Sequence, residues 1–340
     1  MAIAGLDPTL AGEILERLGF FSWGFLGPER TRALLGRAEL QGTEAGTAIA
    51  VAFRYGEGEY DAPDWIWEGK AQGSEEGRQA MLGLARFARA NWYAELLGRL
   101  AAAAKELHSH SAEAGLPSPS PKAWRRFANS PLPERRIALE AGLGRLGKNN
   151  ILIAEASRSR PGSPQRSSAV LLGVLLSPPG IAFEAEPGKP AEKVDASSPT
   201  LMERSLGAKK LFPCGDCSQC AQACPTGAID PLQGGFDREK CRQNWAGRKE
   251  HAPGLVEASM GDMLYGCDRC LEACPYFRID EAAFTELGRL GPKLPATFFL
   301  NRSDAEIRSA LKGTALGLGW ISPAYFRERA RKALLGQRLE

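Results

Sequence analysis

Residues 264–277 read LYGCDRCLEACPYF. Cys267, Cys270, Cys274 and Pro275 fall in the spacing C-x2-C-x3-C-P. A longer version stands upstream: Cys214-x2-Cys217-x2-Cys220-x3-Cys224-Pro225. Laid on that pattern, the later run is one cysteine short, because the slot three residues before Cys267 holds Leu264. The chain has eight cysteines in 340 residues, and the one outside both runs is Cys241, within DREKCRQNW. All eight lie between 214 and 274. Secreted disulfide scaffolds spread their cysteines through the fold. Clustering of this kind predicts a metal site in a reducing compartment, and hence a cytoplasmic protein.

The upstream run has the spacing with which bacterial-type ferredoxins hold two 4Fe–4S clusters. Three closely spaced thiolates grip one cubane, and the fourth, before proline, reaches the other. TGAID after Pro225 fits the short connector of such modules. Under this crossing rule Cys274 returns to the first cluster, which takes Cys214, Cys217, Cys220 and Cys274. The second takes Cys224, Cys267 and Cys270, and Cys241 is the thiolate left to complete it. Moving that ligand from 264 to 241 ties segment 241–266 to the second cluster and frees the loop around Leu264 and Tyr265 to face a further redox group. A harmless rearrangement of a structural ligand is the plainer reading. Zinc knuckles and disulfides are the alternatives; the third cysteine at the same spacing and the Cys-Pro ending favour iron.

The rest of the chain reads as globular, with 44% hydrophobic and 24% charged residues, and is long enough for two domains. With 38 glycines and 23 prolines, its loops should be long. The formal net charge is +3, and eight thiolates around two cluster cores would bring it to about −1. Bulk charge therefore does not point to nucleic acid, and any RNA contact needs a local patch. MAIAGLDPTLAGEILERLGFF lacks a basic start followed by an apolar run, so no signal peptide is expected. The longest apolar stretch, AVLLGVLLS at 169–177, is too short to span a bilayer, so no membrane partner is expected.

Periodicity predicts a helix at 9–18, strands at 20–26 and 47–55, and a long helix at 77–108 whose alanine run favours helix. It predicts a loop at 114–121, a short helix at 133–141 ended by Gly142, and a buried strand at 169–177. Residues 178–206 read as a surface excursion or linker. Residues 281–340 read as helical, with a basic last helix at 323–335. The expected fold is mixed α/β or α+β: an N-terminal domain at 1–206, a two-cluster ferredoxin-like module at 207–280 and a helical C-terminal segment at 281–340.

Several stretches together resemble the epoxyqueuosine reductase family. AGLGRLGKNNILI at 141–153 is similar to its A-G-L-G-x-x-G-K stretch, and AVLLGVLLS takes the place of the apolar strand that follows. WYAELLGRL at 92–100 resembles its tyrosine-containing helix; YGCDRCLEACP at 265–275 is close to its cysteine pattern, and Cys241 matches its lone upstream cysteine. The resemblance implies a divergent member of a family of cytoplasmic oxidoreductases that complete queuosine in tRNA with two 4Fe–4S clusters and cobalamin. It implies a reductase-type N-terminal domain and a corrinoid held base-off between that domain and the second cluster. An external donor such as ferredoxin or flavodoxin would reduce the first cluster, with electrons passing to the second and then to cobalt. By position in the family Gln243 neighbours the corrinoid. Lys148 and Asn149 follow a glycine turn and could line the cofactor pocket, although turn chemistry alone explains them. His108, His110 and His251 supply no D-x-H-x-x-G ligand motif, and a base-off corrinoid needs none. His108 and His110, at a helix end, read as solvated.

One departure bears on the chemistry. The family carries a proton-donating aspartate just before the helix that PERRIALEA matches. Here that position holds Ala128, or Asn129 with a one-residue shift, and neither can act as an acid. The catalytic residue is left unknown. Glu134 lies close by and reads as a first-turn helix carboxylate. Arg158, Arg160 and Arg166 form a basic run that could meet phosphate or simply face water. Trp65 and Trp67 could stack on a flat ligand or pack. Two rival functions therefore stand beside the reductase: a ferredoxin-like electron carrier, and a corrinoid reductase with a substrate other than tRNA.

Overall fold

The structure, a computed structural model, describes residues 5–35, 46–57, 63–66, 80–158, 162–183, 214–231 and 235–337. Packing divides the chain into two compact units, each assembled from separated segments. The first comprises Met1–Arg54, Tyr93–Gly215 and Pro275–Ile279; the second comprises Tyr55–Trp92, Asp216–Cys274 and Asp280–Glu340.

The first unit is built on an antiparallel sheet in the order Ser22–Leu26, Ala48–Arg54, Val170–Leu176, Arg125–Ala128. Every residue from Ala48 to Phe53 is buried, so this continuous apolar strand is covered on both faces. Ala48, Ala50 and Ala52 present a shallow surface to the helix Glu134–Glu140, with Ile137 and Ala138 packed in the same cluster. On the other face Leu96 and Leu100 of the helix Trp92–Glu113 approach Val51 and Gly173; a Cβ on Gly173 would stand 3.0 Å from Leu100. Each fully buried leucine there contributes about 1.5–3 kcal/mol. The helix Glu134–Glu140 stops at Gly142, whose φ is +79°. Leu143 N–H donates to the Ala138 carbonyl and Gly142 N–H to that of Leu139, as a left-handed C-terminal turn requires. The chain then enters a small antiparallel sheet, Gly144–Leu146, Leu152–Glu155 and Arg166–Ser167.

In the second unit the strand Met81–Leu84 is central, pairing parallel with Met263–Tyr265 and antiparallel with Lys293–Pro295. Helices Ala296–Leu300, Asp304–Leu311 and Pro323–Gln337 follow. Phe299 and Phe326 meet with ring centroids 5.1 Å apart, and Trp65 packs edge-on to Phe298 at 5.8 Å. Trp65 is thus a packing residue; Trp67 lies outside the described residues.

The helix predicted at 77–108 requires correction. Met81–Leu84 is a strand, Arg86–Ala88 a short 3-10 turn, and the α-helix begins at Trp92 and runs to Glu113. Leu and Met are good helix formers, but propensity is a weak prior, and pairing to two distant strands overrides it here. The C-terminal region is helical only from Ala296 on, in Ala296–Leu300, Asp304–Leu311 and Pro323–Gln337; residues 281–292 are turns and loop, and Lys293–Pro295 is a strand. Of the expected excursion at 178–206, Ala182–Phe183 pairs in parallel with Gly5–Leu6, and residues 184–206 lie outside the described residues. Among the described residues, no helix is long and apolar enough to cross a membrane.

Candidate metal centre

The two cysteine runs fold into the same small turn. Ser218 precedes the one-turn helix Gln219–Gln222, and Asp268 precedes Arg269–Glu272. The Ser218 carbonyl accepts from Ala221 and Gln222, and the Asp268 carbonyl from Leu271 and Glu272. Each turn closes on the pre-proline cysteine: Cys224 N–H donates to Ala221 at 3.2 Å, and Cys274 N–H to Leu271 at 2.8 Å. The two helical turns pack against each other. Tight turns of this kind aim closely spaced sulfurs to one side.

Cys241 enters from a third segment. A 3-10 turn, Arg238–Lys240, leads into it, and the helix Arg242–Trp245 follows at once. Five thiols of the second unit, Cys220, Cys224, Cys241, Cys267 and Cys270, then share one neighbourhood. Burial, first of all, pushes Cys270 up to about 12, and Cys267, Cys241, Cys220 and Cys224 push the same way. Burial also raises Cys241, against pull-down by the backbone N–H groups of Asn244 and Gln243 and by the charge of Arg238. Cys267 is raised by burial and eased by Arg269 N–H and the Arg242 charge. Cys224 behaves oppositely. Burial raises it, but hydrogen bonds from the Thr226 side chain and from the Thr226, Ala228 and Gly227 backbone outweigh burial and bring it below the ordinary thiol. Ala228 N–H reaches its sulfur at 3.3 Å and Thr226 Oγ1 lies 3.5 Å away.

Among the described residues, no three Cys, His, Asp or Glu side chains stand close enough to hold a single ion. A cubane sets four irons and four sulfides between its thiolates, so its ligands stay farther apart than those of a lone zinc. The donor set fits such a cluster. Cys214 belongs to the first unit, where a Cβ on Gly147 would sit 3.6 Å from its sulfur and 2.8 Å from Asn149 Oδ1.

Asp268 anchors the second turn to the strand region: its Oδ2 accepts from Arg86 N–H at 2.6 Å. Arg86 in turn pairs with Glu57 and, at 3.6 Å, with Glu272. Beside this turn Phe87 and Tyr265 lie 6.0 Å apart, and Tyr265 and the half-exposed Trp320 6.2 Å apart. Gly266, at φ +89°, lets Ala85, Phe87 and Gln243 close in, and Gln243 Oε1 is buried with no hydrogen-bond partner. Neither Arg86 nor Asp268 was legible as a site residue, since their pairing depends on long-range strand order. Thr226, Arg238 and Arg242 were missed as well. A signal for the arginines was present: residues 214–231 contain no Lys or Arg, whereas 238–249 hold Arg238, Lys240, Arg242, Arg248 and Lys249.

The other sequence candidates fall in the first unit. Lys148 and Asn149 are buried, and Asn149 Oδ1 accepts from Ile151 N–H at 3.2 Å within the glycine turn. Ala128 ends its strand opposite Gly173, and Asn129 follows in the left-handed region at φ +51°. Glu134 folds back on this turn, its Oε1 accepting from Ser130 N–H at 2.9 Å and Oγ at 2.8 Å. Arg158 pairs with Glu16 and Arg166 with Glu155, so these two cations are already matched by carboxylates. Arg160 lies outside the described residues. His108 is not simply solvated: its Nδ1 lies 2.9 Å from Ser118 Oγ, which also accepts from Trp124 Nε1.

A family model described as a 4Fe-4S double cluster binding domain matches residues 213–277. The chain therefore carries a domain for two 4Fe–4S clusters. An epoxyqueuosine reductase from Synechococcus sp. is 32% identical over 157 residues, covering 45% of this chain and 38% of that protein. The chain is similar to the epoxyqueuosine reductases. It spans well under half the length of the curated relatives it matches. In fold the likeness is broader. Epoxyqueuosine reductase from Streptococcus thermophilus superimposes with a TM-score of 0.65 at 18% identity, over 97% of this chain and 81% of that one. An epoxyqueuosine reductase solved with an epoxyqueuosine-modified tRNA-Tyr stem loop gives 0.63 at 20% identity, over 96% and 81%. The mixed α/β architecture expected from the sequence is the one these structures share.

Proposed function

We propose that the chain is an iron–sulfur reductase of the epoxyqueuosine reductase type, holding two 4Fe–4S clusters and a corrinoid and acting on tRNA in the cytoplasm, with electrons from an external carrier such as ferredoxin or flavodoxin. The observation that carries this reading is the pair of matching Cys-Pro turns packed against each other, with Cys220, Cys224, Cys241, Cys267 and Cys270 in one neighbourhood, of which Cys224, Cys241, Cys267 and Cys270 would hold one cluster. Cys214, Cys217, Cys220 and Cys274 would hold the other cluster.

For a corrinoid, the supporting feature is the buried, unpartnered Gln243 Oε1 beside Gly266, flanked by Phe87 and Tyr265. An apolar surround with one open acceptor suits a flat macrocycle with amide arms. Gln243 would bind such an amide. When bound, the clusters supply single electrons and the corrinoid supplies the reductive step at the substrate. The chain's own residues fix the spacing of the sulfurs and hold protons.

The proton source is where the chain departs from its relatives. With Ala128 and Asn129 at the family's acidic position, Glu134 is a carboxyl within the same turn; burial raises its affinity for a proton, although Ser130 and Asn129 hydrogen bonds oppose this. The absent aspartate also favours a second reading, a corrinoid reductase with a substrate other than tRNA. Anaerobic purification with iron, sulfide and cobalt analysis tests the cofactors, and turnover of an epoxyqueuosine-bearing stem loop tests the substrate. Two clusters' worth of iron and sulfide, a corrinoid spectrum and turnover are expected. Full clusters without corrinoid binding would leave an electron carrier, and corrinoid binding without stem-loop affinity would leave the second reading.

A further inference from the structure

The two segments that bring cysteines from 214–231 and from 238–249 carry unequal charge. Segment 214–231, with three of the four thiols assigned to the first cluster, has Asp216 and Asp230 and no cation. Segment 238–249, which brings Cys241 to the second, has five cations and one carboxylate, Glu239. Several of these cations are fixed. Arg238 Nε donates to Asn244 Oδ1 at 2.6 Å, and Arg248 Nη2 donates to the same oxygen at 2.8 Å. Asn244 N–H is itself bonded to the Cys241 carbonyl, so Arg238 is folded over the turn that bears the ligand. Arg242, on the other side of Cys241, donates from Nε to Ser259 Oγ at 2.9 Å.

Two guanidiniums sharing one amide oxygen repel each other. Among the described residues, none of Arg238, Arg242 and Arg248 forms an ion pair with a carboxylate. Four thiolates on a 4Fe–4S core carry a net negative charge that grows on reduction. Positive charge held beside a cluster stabilises its reduced form more than its oxidised form.

We propose that Arg238 and Arg242, bracketing Cys241, raise the reduction potential of the cluster that Cys241 ligates above that of its neighbour, and so set the direction in which an electron moves between the two. One electron leaves the cluster held by Cys214, Cys217, Cys220 and Cys274, which is oxidised, and enters the cluster held by Cys224, Cys241, Cys267 and Cys270, which is reduced. No bond is made or broken, and the reductant is a low-potential one-electron carrier. The inference rests on the ligand assignment of the proposed function and adds a role for residues outside it.

The test is an anaerobic reductive titration of the cluster-loaded protein followed by EPR, with Cys241→Ser identifying the signal of the second cluster. In the native chain the first electron should reside on that cluster. In the Arg238→Gln/Arg242→Gln double variant the distribution should move about tenfold toward the first cluster, which is about 59 mV for a one-electron couple. Lysines at both positions should restore most of the native distribution. Should the glutamine variant fail to load, Asp216→Lys gives the reading from the other side, since a cation at that exposed position should narrow the gap by stabilising the reduced first cluster. Unchanged midpoints, or equal shifts in both, overturn the inference. So does loss of stem-loop affinity with unchanged midpoints, which would assign the arginines to RNA phosphate. If Cys241→Ser leaves both clusters intact, the ligand assignment itself fails; if it removes one and the potentials still do not move, only the arginine role is lost.

Discussion

Cys224 differs from Cys241, Cys267 and Cys270 in the sign of its pKa shift, and the difference traces to Thr226 and the backbone that follows it. A hydrogen bond to a cluster thiolate draws charge from the sulfur and favours the reduced state. Thr226→Val keeps the shape of the side chain and removes its hydroxyl, leaving Ala228 N–H at 3.3 Å. The variant should load both clusters and lower the potential of one, by some tens of mV if about 1 kcal/mol of differential stabilisation is lost; potentiometric EPR reads it. The cysteines themselves were legible because iron chemistry imposes spacing on the sequence. Thr226 was not, because its role depends on where a turn places an oxygen. Glu134 makes the same point for the proton. Burial raises its folded pKa, so it stabilises the fold below the ordinary glutamate range and loses that contribution as pH rises through the raised value. Glu134→Gln should therefore gain on the native protein between acid and neutral pH. Allowing for partial exposure, the gain should stay below about 1 kcal/mol, read as a pH-dependent difference in Tm.

At the scale of elements, local signals succeeded where an element's partners are near in sequence and failed where they are far. The continuous apolar runs at 48–53 and 170–176 became buried strands, and Gly142 ended its helix by taking a positive φ. Met81–Leu84 offered no such signal: its strand character comes from Met263–Tyr265 and Lys293–Pro295, nearly two hundred residues away or more. The predicted helix also crossed the division between the two units, which falls at Trp92 and Tyr93. One readable signal was passed over. Ser303 and Glu306 form a reciprocal capping box at the start of the helix Asp304–Leu311, with Ser303 Oγ accepting from Glu306 N–H at 3.3 Å and Glu306 Oε2 accepting from Ser303 N–H at 2.8 Å. Ser303→Ala removes the first bond and should cost about 0.5–2 kcal/mol in denaturant unfolding. Ile307 and Leu311 anchor this helix in the core of the second unit, so the loss should appear in that unit's transition.

For the whole molecule, Cys241, the proposed displaced ligand, would join a ferredoxin-like pattern to the rest of the chain. Cys241 draws in the segment that runs on to Tyr265, and with it Gln243, the arginines and the strand Met263–Tyr265 that docks on Met81–Leu84. The sequence suggests an assignment for all eight cysteines, but the surroundings of each sulfur are not legible in it. Arg86 reaches Asp268 across 182 residues, and no local pattern announces such a pair. Cys241→Ser tests this linkage at the level of the molecule. The sheet and helices of the first unit do not depend on that thiol, so the protein should remain folded and keep one cluster. It should contain about half the native iron and sulfide, with one EPR signal lost and the other intact, because a serine oxygen binds iron less well than a thiolate at the same place. The cluster that persists should be the one held by Cys214, Cys217, Cys220 and Cys274. Loss of both together would mean that the second cluster also braces the turn bearing Cys220, whose thiol already lies within electrostatic reach of Cys270.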